Sequence, residues 1–343
     1  MFPCPDLTTA LHQVWRGAEA PMLRVAVATS GGADSAMLAA HAVDVARQYD
    51  TAVLLFHVHH GLQSAADGWA DHVQALGRIL GVPVLTAYAC VDSNTGLGIE
   101  AAARDARYAA LAALAQQHGV ADILLAHHQN DQAETVLLRL LRGTGPEGMA
   151  AMAPSMQRGS IRYYRPWLNQ RRARILQAAE SFAQQHQWHA VQDPTNADPR
   201  YTRAAVRELL SPTLDARWPG WQARLASHAR HAAETNSILE DVAQGDFATL
   251  SPSADNTCFS LAQWRILLPA RQSLVLRHWL RLNGARMPTE ARLAELLRQL
   301  RQLHSLGHDR QMTLVHGQHT IRCHRGRVEI QLTPASSAPS VAC

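Results

Sequence analysis

Apolar residues in the first 190 positions fall into short continuous runs, separated by longer stretches with helical spacing. R-V-A-V-A (24–28), A-V-L-L-F-H-V (52–58), P-V-L-T-A-Y (83–88) and D-I-L-L-A-H (122–127) have the length and composition of buried strands. Between and after them, residues 35–48, 66–80, 99–117, 131–142 and 170–186 repeat their apolar positions every three or four residues, which predicts helices. I-R-Y-Y-R-P (161–166) reads as a fifth, edge-like strand. Strands alternating with helices of this length predict an α/β fold, a parallel sheet covered on both faces. In such a sheet a ligand lies at the carboxyl ends of the strands.

After W-P-G (218–220) the pattern changes. A long polar helix is expected over 221–247, a loop over 251–257, helices near 270–282 and 288–303, and short strands with G-Q and R-G turns over 312–332. The reading is therefore a strand–helix domain over 1–220 and a smaller, mostly helical domain with short C-terminal strands over 221–333. The last ten residues, 334–343, are expected to be a disordered tail.

Composition narrows the chemistry. The 343-residue chain contains no lysine, so its 32 basic residues are all arginine. A Walker P-loop and a Schiff-base enzyme both require a lysine and are excluded. The five cysteines, Cys4, Cys90, Cys258, Cys323 and Cys343, form no C-x-x-C pair. That argues against a disulfide framework or a cysteine-ligated metal site and fits a reducing cytoplasm. No leader-like N-terminus and no apolar run of about 18 residues is seen, so neither secretion nor a membrane partner is expected. Charge is uneven: residues 1–157 hold 8 Arg against 14 acids, net −6, whereas residues 158–230 hold 12 Arg against 5 acids, net +7. The Arg-dense middle suggests a polyanionic partner.

The segment S-G-G-A-D-S (30–35), which follows the first strand, sets a puzzle. Two glycines before a helix let anionic oxygens approach backbone N–H groups, and the helix start adds partial positive charge. Ser30, Gly31, Gly32, Ala33 and Ser35 therefore form a candidate phosphate cradle. Asp34 would repel the same phosphates unless a cation lies between them. Mg²⁺, which takes one or two carboxylates plus phosphate oxygens, resolves the conflict. The segment thus predicts ATP with Mg²⁺, and Asp34 beside the metal.

The same residues resemble the PP-loop of the N-type ATP pyrophosphatases, whose sheet is Rossmann-like. Four further motifs lie in order: H-V-H-H-G-L (57–62), G-I-E-A-A-A-R-D-A-R-Y (98–108), L-L-A-H-H-Q-N-D-Q-A-E-T (124–135) and L-R-G-T-G-P-E-G-M (141–149). With D-P-T-N-A-D-P-R-Y-T-R (193–203), they resemble the tRNA(Ile)-lysidine synthetase family. The resemblance implies that ATP adenylates C2 of the wobble cytidine in the CAU anticodon of tRNA-Ile. Free L-lysine then displaces AMP, and the tRNA changes from methionine to isoleucine specificity. A second copy of the chain stands as an additional candidate partner.

Read against that chemistry, Arg107 and Arg203 join the loop as ATP ligands, with Arg104 an alternative to Arg107. Glu100, Asp131 and Glu134 become candidates for the lysine ammonium. Asp34, His127 and Asp131 are candidates for taking the proton that the amine must lose, with His127 ranked above His128. Arg142, Arg165, Arg171, Arg172 and Arg207 are candidates for tRNA phosphates, as are Arg162 and Arg174. Asn130 and Ala204 stand where the family frequently has Asp and Asn. Three alternatives stay open: a PP-loop tRNA thiolase, an adenine-nucleotide-binding module without catalysis, and a zinc hydrolase using H-V-H-H and H-H-x-x-D. For Glu100 and Arg104, a plain i,i+4 ion pair on a solvated helix is the bland reading.

Overall fold

In the computed structural model the described residues are 5–59, 66–89, 99–191, 198–303 and 312–333; of residues 66, 67, 99 and 100 only the backbone is described. The expected tail at 334–343 lies outside them. The chain forms two units, Met1–Ala233 and Glu234–Cys343.

The first unit begins with α1 (Pro5–Gly17), then β1 (Arg24–Ala28), α2 (Ala33–Ala46), β2 (Ala52–His59), α3 (Ala66–Leu80), β3 (Val84–Tyr88) and α4 (Ile99–Gln117). It continues through β4 (Asp122–Leu124), α5 (Gln129–Leu141), α6 (Pro146–Met149), β5 (Ser155–Arg158), β6 (Ile161–Tyr164) and α7 (Arg172–His186). After α8 (Thr202–Ala205) come a π-helical turn, Val206–Leu210, and α9 (Ser211–Arg217). The next helix, α10 (Trp221–Ala248), contains the division between the units. The expected boundary near 218–222 falls at its start.

The sheet order is β3-β2-β1-β4-β6-β5, parallel throughout except for the β5–β6 hairpin. Strand periodicity sends alternate residues of β1 to opposite faces. Val25 and Val27 pack with Met37, Leu38 and Val45 of α2, while Ala26 packs with Tyr108, Leu111 and Ala115 of α4. Both faces are covered, which explains why these strands read as unbroken apolar runs. The chain steps from β1 to β2 on one side and returns to β4 on the other. This places a topological switch point, and hence a crevice, at the carboxyl ends of β1 and β4.

Two sequence readings need correction here. The strand at 161–164 is internal rather than an edge, because β5 folds back on it through Gly159, whose φ is +60°. The strand expected over 122–127 stops at Leu124, and its last residues leave the ladder to shape the site. Helix α1 carried no expectation. It buries Leu7, Leu11 and Trp15 and is tied down by Trp167, whose indole N–H donates to the Leu7 carbonyl at 3.1 Å.

In the second unit, β7 (Cys258–Ser260), α11 (Leu261–Ile266), α12 (Pro269–Leu282), α13 (Glu290–Gln302), β8 (Met312–His316), β9 (His319–His324) and β10 (Arg327–Leu332) follow α10. Its antiparallel sheet has the order β7-β10-β9-β8. Its core contains Phe259, Trp264, Trp279 and Ile321. Phe259 and Trp279 meet edge to face, with centroids 4.9 Å apart. Strand β7 lies between the expected loop and the next expected helix, in a stretch to which the sequence reading assigned no element. Among the described residues no helix is long and apolar enough to cross a membrane.

Candidate active site

Strand β1 delivers the chain to the crevice, where Thr29 still donates its N–H to Phe56 O at 2.8 Å. Gly31 then takes φ +89°. A Cβ there would sit 3.4 Å from the methyls of Val73 and Val191, in a backbone region L-residues rarely adopt. Gly32 is the N-cap of α2 and has no side-chain cap, so the first-turn amides are left for a ligand. The two serines brace the loop. Ser35 Oγ donates to Gly32 O at 3.1 Å and accepts from Ser30 N at 3.1 Å, and the two hydroxyls lie 3.2 Å apart. The loop conformation is thus held by its own residues before any ligand arrives.

Asp34, in the first turn of α2, turns into a cavity of about 820 Å³ that is also lined by Ser30, His57, Arg107, His127 and Arg207. This volume suits a nucleotide-sized ligand. One carboxylate oxygen of Asp34, Oδ1, is buried without a hydrogen bond, 3.7 Å from His128 Nε2. The other, Oδ2, lies 3.6 Å from Arg172 Nε. Burial raises the Asp34 carboxyl, but His128, Arg172 and Arg207 outweigh it and hold it below its ordinary value. Asp34 is therefore an ionised acid with an unsatisfied buried oxygen, a donor of the kind a hard divalent cation takes.

The second wall begins where β4 ends. His128 caps α5: its Nδ1 accepts from Asp131 N at 3.3 Å, and Asp131 Oδ2 accepts from His128 N at 3.0 Å. This reciprocal cap starts the helix two residues before the sequence reading placed it. Because Nδ1 accepts, the ring proton sits on Nε2, facing Asp34. His128 thereby bridges Asp34 and Asp131. His127 also lines the cavity, with its Nδ1 buried and without a hydrogen-bond partner. Burial above all, then Arg107, Arg165 and Arg104, outweigh the opposing pull of Asp131 and push its pKa down to about 3, so the ring is neutral. His57 is buried nearby and donates from Nδ1 to Thr29 O at 2.9 Å.

Asp131 and Glu134 lie on one face of the first turns of α5, both buried. Arg207 enters from the π-helical turn. Its Nε donates to Glu134 Oε1 at 2.7 Å, and one terminal nitrogen donates to Glu134 Oε2 at 2.9 Å and Asp131 Oδ1 at 3.0 Å. Burial opposes charge on both partners, but the carboxylates hold the Arg207 guanidinium more firmly protonated than usual. One turn earlier, Arg203 donates to Thr135 Oγ1 at 3.2 Å, and Thr135 Oγ1 donates to Asp131 O at 2.7 Å.

Other arginines crowd the same corner. Arg104 donates to Tyr108 OH at 3.4 Å. Burial lowers the Arg107 guanidinium pKa, and Arg104 and Arg203 push it further down. Such mutual repulsion is relieved by an anion. Arg139 spends one nitrogen on Gly148 O at 2.6 Å and Ala151 O at 3.0 Å, tying down the glycine-broken loop.

Several residues stand apart from their sequence readings. Arg165, expected at tRNA phosphates, is 4% exposed and donates to Ala153 O at 2.7 Å; it braces the β5–β6 hairpin and cannot face a docking polyanion. Arg172, assigned to the same set, lines the cavity beside Asp34. Arg207 lies on the acids instead of an open face. Arg162 pairs with Asp122 and Arg174 with Asp6. Arg142 and Arg171 are exposed. Glu100 falls within α4, with its side chain outside the described residues. The bridging place of His128 and the cavity place of Arg172 were not anticipated; no local motif marks either. Among the described residues, no three His, Cys, Asp or Glu side chains gather as a metal-holding group, so the zinc arrangement does not form there.

A PP-loop domain family matches residues 6–214, and a family described as the TilS substrate binding domain matches residues 259–329. A tRNA(Ile)-lysidine synthase of Bordetella pertussis is 62% identical over 307 residues, covering 90% of this chain and 95% of the relative. The chain belongs to the tRNA(Ile)-lysidine synthase family. It is thus a ligase-type enzyme with a PP-loop ATP-binding domain, and its family modifies tRNA. A relative from Alkalilimnicola ehrlichii is 38% identical over 342 residues, covering 99% of this chain and 73% of its own length. Among solved structures, the U34-tRNA thiolase NcsA from Methanococcus maripaludis aligns with a TM-score of 0.56 at 14% identity, over 67% of this chain and 79% of that one. That likeness establishes a shared fold.

Proposed function

We propose that this chain joins the side-chain amine of free L-lysine to C2 of the wobble cytidine, position 34, in the CAU anticodon of tRNA-Ile, converting ATP to AMP and pyrophosphate. The observation that carries this reading is one cavity lined both by a phosphate cradle and by Arg207, the arginine that a buried carboxylate pair holds. Ser30–Ser35 supply the cradle, and Asp131 and Glu134 the pair, with His128 joining them through Asp34.

The C2 oxygen attacks the α-phosphate and pyrophosphate leaves. The lysine nitrogen then attacks C2, AMP leaves with that oxygen, and the amine gives up a proton. The amide-lined loop holds the phosphate tail, and Arg107 and Arg203 bind its charge from the side. Mg²⁺, held by Asp34, would offset the phosphates' negative charge. Asp131 and Glu134 hold the lysine ammonium, and Glu100 is a further candidate.

His127 stands with Asp34 and Asp131 as a candidate for taking the amine's proton, because its ring is neutral and its Nδ1 is unspent. Once phosphates cover Arg107, part of the repulsion that depresses its proton affinity is removed. Exposed Arg142 and Arg171 take tRNA phosphates. The deciding assay is AMP release from ATP with lysine and transcribed tRNA varied separately. AMP should form only when lysine and CAU-anticodon tRNA are both present. Equal AMP formation without tRNA overturns the assignment, and sulfur incorporation into the tRNA would favour a thiolase.

A further inference from the structure

The Asp131–Glu134 pair is already engaged. Glu134 Oε1 and Oε2 each accept from Arg207, at 2.7 and 2.9 Å. Asp131 Oδ1 accepts from Arg207 at 3.0 Å, and Asp131 Oδ2 accepts from His128 N at 3.0 Å. All four carboxylate oxygens have a donor, and the bidentate fork on Glu134 is the strong form of such pairing. An incoming ammonium therefore has to share every oxygen with a donor already in place and meets the positive charge of Arg207 beside them.

The segment that carries Arg207 is unusual. Val206–Leu210 is a π-helical turn between two α-helical pieces, a feature that concentrates at functional sites. Beside it lie Arg104, Arg107 and Arg203, whose charges repel one another and attract phosphate.

We infer that Arg207 occupies the seat of the substrate ammonium and closes Asp131 and Glu134 to free lysine until phosphate groups draw the guanidinium away. The phosphates could be those of ATP or of the tRNA. The inference rests on the lysine-binding reading of this pair. It makes lysine the late-binding substrate, which prevents the acids from being held by free amines before an electrophile exists. Linkage requires the reverse effect: lysine, by freeing Arg207, tightens phosphate binding by the same factor.

The test is equilibrium dialysis of labelled L-lysine against the full chain, alone, with a non-hydrolysable ATP analogue and Mg²⁺, and with CAU-anticodon tRNA. Lysine affinity should rise about 5- to 150-fold in whichever arm supplies the phosphates that take Arg207. Arg207→Gln should bind lysine tightly without either additive and gain little from them. Arg207→Lys, which keeps the charge but loses the fork, should fall between. In the wild type, which needs no variant to fold, lysine should raise tRNA or analogue affinity by the matching factor. Equal lysine affinity in all wild-type arms overturns the proposal, as does an Arg207→Gln protein with undiminished dependence on additives. Lysine uptake unchanged by Glu134→Gln in every arm overturns the underlying site reading instead.

Discussion

On one side of the cavity, six consecutive residues, Ser30 to Ser35, make a complete wall from backbone amides, a positive-φ glycine and two mutually bonded serines. On the other, Arg207 lines the cavity and is held by Asp131 and Glu134, 76 and 73 positions earlier in the chain. The first wall is a local conformation that short-range sterics nearly dictate. The second is an ion network assembled by the fold, in which each charge is tolerated only because of the others. The walls should therefore fail differently: the first by misplacing atoms, the second by leaving charge unpaired.

The largest effect on catalysis is expected on the first wall. Gly31→Ala puts a Cβ at φ +89°, which costs about 1–2 kcal/mol in left-handed backbone. The new methyl would meet Val73 and Val191 at an ordinary contact distance of 3.4 Å, so the strain is in the backbone. A displacement of about 1 Å at the cradle should lower kcat/KM for ATP by about 10²-fold. Steady-state AMP formation checks this, and a near-wild-type value would mean the loop does not hold phosphate.

Next, Glu134→Ala strands the Arg207 guanidinium on Asp131 alone. Removing one partner of a buried pair costs about 3–5 kcal/mol. The low end applies, since Arg207 is 28% exposed and keeps one acid. Denaturant unfolding measures the loss. A change smaller than that of an exposed ion pair would show the network to be ornamental to stability.

A third test uses pH. The His127 pKa falls from 6.5 to about 3 on folding, chiefly by burial. The unfolded chain thus binds the proton more readily between those values, so this contribution is complete above pH 6.5 and is lost as pH falls toward 3. His127→Gln should flatten that part of the stability–pH curve, followed by thermal midpoints from pH 7 to 4.

The smallest effect concerns the exposed arginines. Arg142→Ala and Arg171→Ala should each lower the dependence of log tRNA affinity on log salt by about 0.7–0.9. Filter binding at several salt concentrations reads it. A slope unchanged in both variants would move the tRNA track elsewhere.

Much of the fold was legible because burial on both faces leaves a continuous apolar signature in β1 to β4. The loop was legible for a related reason: its glycines and serines act on neighbours within five residues. Helix α1 went unanticipated although Leu7, Ala10, Leu11 and Trp15 are spaced for one apolar face. The spacing was there, but its partners, Trp167 and the α2 core, come from distant parts of the chain. Strand β5 had no apolar pattern to read, since only Met156 is shielded. The error at Arg165 has the same root. An arginine in an Arg-rich stretch looks solvated until a hairpin closes over it.

From the order of residues alone came the sheet, the glycine–serine loop at the end of β1, the acid beside it and the family. Each depends on contacts between near neighbours or on strand burial, and both leave a periodic or contiguous trace. Only the tertiary structure decided which arginine meets which acid, that His128 joins Asp34 to Asp131, and that Arg207 fills the carboxylate pair. Long flexible side chains choose their partners by proximity in the folded molecule, and chain order carries no record of that proximity.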